Sequence, residues 1–301
     1  MYKRIVVPLD GSKLAEAPLD YAVWLAHKSA AELQLMHVYN NRVPAVSRYL
    51  GNRIERTMRR SVLAYRAPVN VKPVIAAGDA ATQITKHVED NDVDLIIMST
   101  HGRSGIKRWM MGSVADKVVR YSNRPVRLIK SFESKVPDSE EYDKKVLVLL
   151  DGSELSEQIL PYAAYHAGLS GGELILLNVC EPPDVAPAVT YHLIPPHDYP
   201  PTRPLQWGKY VEEETERRKK ECQVYLNDLT EKFRQRNLKV RFAAPFGNAV
   251  DEILRFLEDN PVSLVAMTTR GRSGISRWVF GSVAEKVLLA SPSPVLLIRP
   301  A

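Results

Sequence analysis

Short apolar runs alternate with helix-length amphipathic segments along the first half of the chain. The apolar runs occupy residues 4–9, 33–39, 71–77, 93–99 and 125–130. The runs are mainly apolar and do not alternate strictly with polar residues, which is typical of strands that are buried on both faces of a sheet. Between them, the periodicity predicts helices over about 12–29 and 47–65, and shorter helices after Asp79 and after Ser113. The pattern therefore predicts a doubly wound parallel α/β sheet with helices on both faces.

The second half repeats this pattern. Its apolar runs occupy residues 145–150, 173–179, 239–244, 262–268 and 294–299. Its second predicted helix, at about 209–236, is longer and highly charged. Pro18 and Pro161 both fall early in the first helical segment of their half. Because proline disturbs a helix interior, we expect each of these helices to begin or bend near its proline.

The two halves are copies of each other. Residues 100–119, THGRSGIKRWMMGSVADKVV, return as residues 269–288, TRGRSGISRWVFGSVAEKVL. The sequence Asp-Gly-Ser that starts at Asp10 returns at Asp151, and the alignment continues without a gap through the second apolar run. The duplication predicts either two equivalent sites or one site and a degenerate copy.

The repeat also predicts the domain organisation. A Pro-rich insertion at about 181–207 lengthens the second half, and the polar stretch 132–143 separates the halves. We expect domain 1 over 1–131, a linker over 132–143 and domain 2 over 144–301.

Composition adds expectations about location and partners. The 301 residues carry a net charge of +6 and only two cysteines, Cys180 and Cys222. These cysteines are not equivalent in the repeat, and the sequence has no signal-peptide pattern, so we expect a cytoplasmic protein. No apolar run is long enough to span a bilayer, so no membrane partner is expected. The basic clusters at 53–60 and 217–220 are interleaved with glutamate, which favours solvated helix faces over a nucleic-acid surface.

Acidic residues follow the first strand of each half, at Asp10 and Asp151. In doubly wound sheets, ligands bind beyond the carboxyl ends of the strands, where the strand order reverses. A carboxylate there can accept hydrogen bonds from ribose hydroxyls or hold a metal ion. It can equally form an Asx turn or cap the next helix, and the sequence leaves these alternatives open.

A glycine-rich loop precedes a Gly-Ser pair in each half. The pairs are Gly112-Ser113 and Gly281-Ser282, and the loop arginines are Arg103 and Arg272. Glycine lets backbone approach a ligand closely, and a helix N-terminus attracts anions. The segments 113–116 and 282–285 also resemble capping boxes, which need no ligand. Because capping does not explain the upstream loop and its arginine, the pattern favours an anion site.

The strand-end aspartate, the apolar fourth strand and the spacing Gly102-(nine residues)-Gly112-Ser113 resemble the universal stress protein family in its tandem two-domain form. The resemblance covers both halves essentially end to end. It implies two tandem doubly wound, five-stranded parallel sheets of the Rossmann-like or flavodoxin-like kind, similar to adenine nucleotide α-hydrolases. It also implies ATP, with or without Mg²⁺, as the cofactor, bound through a Gly-x2-Gly-x9-Gly-(Ser/Thr) signature.

In this resemblance the first-strand Asp lies by the ribose, the second-strand Val by the adenine, and the final Gly-Ser pair at the phosphates. The candidate nucleotide-binding residues are Pro8, Asp10, Val38, Met98, Gly102, Arg103, Gly112, Ser113 and Val114 in domain 1, and Asp151, Val179, Met267, Gly271, Arg272, Gly281, Ser282 and Val283 in domain 2. Ser99 and Thr268 replace the first glycine of the signature, and Leu149 replaces the first-strand proline in domain 2. Domain 2 is therefore the weaker candidate.

Enzyme signatures are sparse. No Walker lysine follows either glycine loop, and His192 and His197 form a lone pair without further metal ligands. His101 is replaced by Arg270 in the repeat, and Met98 and Met267 are more often packing residues than cofactor contacts. We expect no catalytic residues and, at most, slow ATP hydrolysis.

These observations predict an ATP-binding regulator of the stress response. The alternative is a nucleotide-free tandem scaffold that binds partner proteins. Because the last strands, 126–130 and 295–299, are apolar and lie at a sheet edge in the family's strand order, the resemblance implies that they pair within the chain. A further homodimer through other surfaces is compatible with this arrangement.

Overall fold

The computed structural model describes residues 1–39, 68–100, 111–130, 141–183, 203–270 and 280–300, without the side chains of 203–207. The first half comprises β1 (Arg4–Leu9), α1 (Lys13–Glu16), α2 (Leu19–Ser29), β2 (Glu32–Tyr39), β3 (Val71–Ala77), α3 (Ala80–Asp90), β4 (Leu95–Ser99), α4 (Ser113–Tyr121) and β5 (Val126–Ile129). The second half comprises β6 (Lys145–Leu150), α5 (Glu154–Glu157), α6 (Leu160–Ser170), β7 (Glu173–Asn178), α7 (Arg203–Arg234), β8 (Lys239–Ala243), α8 (Ala249–Asp259), β9 (Leu264–Thr268), α9 (Ser282–Ala290) and β10 (Val295–Ile298).

All ten of these strands belong to one sheet, in the order β3-β2-β1-β4-β5-β10-β9-β6-β7-β8. Within each half the neighbouring strands are parallel. The halves meet where β5 and β10 pair antiparallel. The predicted parallel α/β architecture is confirmed, and its two five-stranded units form one continuous sheet.

The burial of the strands follows from the mainly apolar runs. Every residue of β4 and β9 is buried, since helices cover both faces of the sheet. On one face, α2, α6 and α7 pack against the strands, and on the other face α3, α4, α8 and α9 do so. The two resulting apolar cores each contain side chains from both halves of the chain.

Proline divides the first helical segment of each half, as the sequence predicts. The side chain of Ser12 caps α1, and α2 begins directly after Pro18. In the second half, Ser153 caps α5, and Pro161 lies in the first turn of α6, where its missing N–H costs no helical hydrogen bond. The predicted helix at 47–65 lies outside the described residues.

Candidate functional site

A crevice opens in each half where two neighbouring strands separate. The pairing of β1 with β2 continues to Leu9, whereas that of β1 with β4 ends at Val6. In the second half, β6 pairs with β7 as far as Leu150 but with β9 only as far as Val148. Both crevices lie at the carboxyl ends of the strands where the strand order reverses, which is where ligands bind in doubly wound sheets.

The crevice of domain 1 contains a cavity of about 260 Å³. Seven of the predicted site residues line it: Pro8, Asp10, Val38, Met98, Gly112, Ser113 and Val114. They come from the first, second and fourth strands of this half and from the start of α4. The other two candidates of this domain, Gly102 and Arg103, lie outside the described residues.

The crevice of domain 2 contains a cavity of the same volume, about 260 Å³. Six of the predicted residues line it: Asp151, Val179, Met267, Gly281, Ser282 and Val283. Gly271 and Arg272 lie outside the described residues. Cavity volume therefore does not distinguish the two domains, and any difference between them must come from the side chains that line each cavity.

The strand-end aspartates form Asx turns. Ser12 N donates to Asp10 Oδ1 at 2.9 Å, and Ser153 N donates to Asp151 Oδ1 at 3.0 Å. The glycine between each pair has a positive φ, 82° at Gly11 and 81° at Gly152, which favours glycine. The turn that the sequence left as an alternative is thus present in both halves, and it holds each carboxylate at the rim of its cavity.

The capping-box interpretation of the Gly-Ser pairs is wrong. Gly112 is the N-cap of α4 and Ser113 is its first helical residue, whereas a capping box needs the serine at the N-cap. Gly281 and Ser282 occupy the same positions in α9, and neither N-cap makes a side-chain hydrogen bond. Because both residues of each pair line a cavity, each of these helices starts at its cavity wall, where its positive dipole end favours an anion.

The residues that differ from the family signature also line the cavities. Ser99 and Thr268 are buried at the ends of β4 and β9, each in the wall of its own cavity. Leu149 lines the domain 2 cavity in place of proline. Met98 and Met267 line the cavities and also belong to the apolar core, so the two interpretations of these methionines coexist.

Sequence reasoning did not identify the side chains that α3 and α8 contribute. Ala80 and Ile84 of α3 line the domain 1 cavity, and Ala249 and Ile253 of α8 line the domain 2 cavity. The four-residue spacing places each pair on one face of its helix. The apolar periodicity of the segment after Asp79 was the signal from which the contact of α3 with the cavity could have been predicted.

A larger cavity of about 690 Å³ borders the domain 2 site. The two cavities share Asn178, Val179 and Glu181. Arg217 and Arg218 of α7 line the larger one, and both form ion pairs with Glu214. Arg217 also pairs with Glu221, so the domain 2 site continues into a polar space whose two arginines are each paired with glutamate.

Among the described residues, no group of three or more His, Cys, Asp or Glu side chains could hold a metal ion. No helix in the described parts of the chain is long and apolar enough to cross a membrane.

The sequence matches the model of the universal stress protein family over residues 1–130 and again over 143–299. It is 30% identical over 148 residues to universal stress protein YxiE of Bacillus subtilis, an alignment that covers 43% of this chain and 100% of that protein. It is 26% identical over 224 residues to universal stress protein Rv2005c of Mycobacterium tuberculosis, covering 73% of this chain and 66% of that protein.

A solved structure has the same fold over nearly the full length. The crystal structure of a universal stress protein from Archaeoglobus fulgidus superimposes with a TM-score of 0.68 and 20% sequence identity. The superposition covers 99% of this chain and 98% of that one. At this identity the likeness concerns the fold.

Proposed function

Since the chain belongs to the universal stress protein family, we propose that it is a cytoplasmic stress-response regulator that binds ATP, with domain 1 as the principal site. The proposal assigns the adenine to the pocket at Val38, the ribose to Asp10, and the phosphates to the Gly-Ser pair at the start of α4. Domain 2 offers the equivalent residues with weaker agreement to the signature.

One observation carries the proposal: the separation of β1 from β4 brings a strand-end carboxylate and a helix N-terminus to one cavity. A nucleotide needs an acceptor for its ribose hydroxyls and donors for its phosphates. Asp10 is an acceptor, and α4 begins with a glycine cap, which has no side chain to occupy the first N–H groups of the helix. The apolar walls, including Val38 and Met98, suit a base.

The glycine at the helix start of domain 2 supports a ligand rather than a packing requirement. A Cβ atom added to Gly281 would meet nothing closer than 3.5 Å, and its φ of −63° is open to every residue type. By contrast, a Cβ atom at Gly172 would lie 2.6 Å from a backbone oxygen, so that glycine is needed for packing. The fold therefore does not require glycine at position 281, whereas an approaching phosphate would.

The proposed role is regulatory because the described residues that line the domain 1 cavity offer a single group for proton transfer. Asp10 is the one titratable side chain among the described residues that line the domain 1 cavity, and its carboxylate is held in an Asx turn. General acid–base catalysis needs a second group that can exchange a proton in the transition state. Any hydrolysis is accordingly expected to be slow. Mg²⁺, if it accompanies ATP, would be held by phosphate oxygens and Asp10, which are the hard ligands it prefers.

The decisive experiment measures bound nucleotide directly. The purified protein is denatured, and the released small molecules are identified by mass spectrometry. The nucleotide-depleted protein is then titrated with ATP, and with GTP as the matched control, by calorimetry. ATP in the released fraction and saturable ATP binding are expected. The absence of both would overturn the nucleotide proposal and favour the nucleotide-free scaffold.

A further inference from the structure

Five polar side chains from both halves meet in the core at the junction of β5 and β10. They are Tyr2, Tyr21, Arg127, Asp143 and His166, named here the junction cluster. Arg127 is 1% exposed and Asp143 is 0% exposed, so the charged pair is removed from water. Buried charges at this depth are costly unless they are paired and hydrogen-bonded.

The buried charges of the cluster are paired with each other by contacts between the halves. Arg127 Nη1 donates to Asp143 Oδ1 at 2.8 Å and to the Tyr21 hydroxyl at 2.6 Å. Asp143 Oδ2 accepts from Tyr21 at 2.7 Å and lies 2.8 Å from His166 Nδ1. Tyr2 OH lies 3.0 Å from His166 Nε2, and the guanidinium stands 3.6 Å from the centre of the Tyr21 ring. The cation thus comes from the first half and the carboxylate from the second.

The cluster lies on the local two-fold axis that relates the halves. Leu296 of β10 faces Arg127 of β5 in the antiparallel register. These two residues are also equivalent in the duplicated sequence, as the third residues of PVRLIK and PVLLIR. A residue that faces its own equivalent marks a two-fold axis, so the axis passes between Arg127 and Leu296.

The other members of the cluster differ between the halves in the same way. The gapless alignment that matches Asp10 with Asp151 also places Tyr2 opposite Asp143 and Leu25 opposite His166 in the repeat. At three positions around the axis, therefore, one half carries Arg, Asp or His where the other carries Leu or Tyr. The surrounding fold is duplicated, but the charges at its centre are not.

We propose that the junction cluster determines which domains can pair, and that it accepts an unlike half and rejects a like one. If two first halves paired through β5, two copies of Arg127 would face each other with Tyr2 in the place of each carboxylate. If two second halves paired through β10, two copies of Asp143 would be buried without a guanidinium. Only the pairing of a first half with a second half neutralises the buried charge. The partner that fits the β5 edge is therefore a second domain, and in this structure it is the second domain of the same chain.

The proposal is tested with two complementary full-length variants. In the first, the substitutions Asp143→Tyr, His166→Leu and Leu296→Arg give the second half the residues of the first half. In the second, Tyr2→Asp, Leu25→His and Arg127→Leu give the first half the residues of the second. Each variant is made with a different affinity tag, alone and by co-expression, and its mass and sedimentation coefficient are measured by analytical ultracentrifugation.

Each variant alone is expected to lose the wild-type sedimentation coefficient and thermal midpoint, because neither can pair its own halves without burying like charges. When the two variants are co-expressed, they are expected to co-purify in equimolar amounts, since each β edge then finds an unlike partner. Two differently tagged wild-type chains are the control, and they should not exchange halves.

A variant that carries all six substitutions guards against simple misfolding, because it moves the ion pair to the equivalent position across the axis. Recovery of the wild-type sedimentation coefficient and thermal midpoint in this variant would show that the charges act as a pair. The proposal is overturned if the separate variants keep the wild-type sedimentation coefficient and midpoint, if they fail to co-purify, or if the six-substitution chain behaves no better than they do.

Discussion

Gly112 has φ −63° and ψ 147°, values that any residue type can adopt. The absence of a side chain at this position therefore does not serve the backbone. It leaves space at the start of α4, in the wall of the cavity that also contains Asp10. A substitution here changes the cavity while the backbone conformation stays accessible, which makes it a clean test of the phosphate site.

The variant Gly112→Leu is expected to fold and to weaken ATP binding in domain 1 by at least about tenfold, or about 1.4 kcal/mol. The leucine side chain would occupy the space that the phosphates need. Gly208→Leu in α7 is the matched control, because a Cβ atom at Gly208 meets nothing within 4 Å. Calorimetry with ATP, together with circular dichroism for folding, provides the measurement. Undiminished affinity in Gly112→Leu would show that the phosphates bind elsewhere.

The two aspartates allow the domains to be compared at a single residue. Both carboxylates occupy the same Asx turn beside cavities of equal volume, but Pro8 is present in domain 1 where Leu149 stands in domain 2. Asp10→Ala is therefore expected to cause the larger loss of ATP affinity, and Asp151→Ala the smaller. Titration calorimetry of both variants gives the ranking, and the reverse order would assign the principal site to domain 2.

At the scale of the element, strands were predictable and helix starts were less so. The run at 71–77 and the observed β3 coincide although Lys72 and Pro73 interrupt its apolar residues, because a short run bounded by turns permits few other structures. The start of α4 was misassigned because Ser113 to Asp116 satisfies the capping pattern in sequence alone. The backbone places the cap one residue earlier, at Gly112. Local sequence does not determine which residue first adopts helical dihedral angles.

The N-cap of α3 provides an element-scale prediction. Asp79 Oδ1 accepts from Thr82 N at 3.1 Å and from Thr82 Oγ1 at 2.8 Å, and these hydrogen bonds lower the pKa of Asp79. Asp79→Ala is expected to reduce the free energy of unfolding by about 1 kcal/mol, as loss of an N-cap typically does. Asp79→Asn should retain most of that stability because asparagine also caps well. Urea unfolding at neutral pH compares them, and equal losses would rule out the cap as the cause.

At the scale of the whole molecule, the sequence predicted the duplicated sheet but not the polar centre of its junction. Asp143 is the last residue of the predicted linker, and Arg127 reads as an isolated cation in an apolar strand. Their contact spans two elements and depends on the antiparallel register of β5 and β10, which no local pattern encodes. Long-range polar pairs of this kind become visible only when the topology is known.

The junction predicts a pH dependence of stability. Burial would raise the pKa of Asp143, but Arg127 and His166 outweigh it and hold that pKa below its usual value. A carboxyl with a lowered folded pKa stabilises the protein above its unfolded pKa, about 3.9, and loses this contribution as the pH falls further. Asp143→Asn is expected to lower the free energy of unfolding at pH 7 by about 3–5 kcal/mol, the usual cost of breaking a buried pair.

Below about pH 4 the difference between the wild type and Asp143→Asn should shrink, because the carboxyl of the unfolded wild type binds a proton there while the folded carboxyl still resists it, which favours unfolding. Urea unfolding from pH 7 to pH 3 measures the difference. A difference that stays constant across this range would mean that the charge on Asp143 does not stabilise the fold.

The continuous sheet makes a final prediction about how its halves are held together. Because β5 and β10 pair within one chain, the amides at their junction should be protected from hydrogen exchange to the same degree at every protein concentration. A junction formed between two chains would instead open on dilution, since its association is bimolecular. Exchange at the amides of Val126, Leu128, Val295 and Leu297, which face across the junction, separates the two cases when it is followed by mass spectrometry over a wide concentration range. The amides of β1, inside the first half, provide the reference. Protection that falls on dilution at the junction but not in β1 would assign the β5–β10 contact to a dimer.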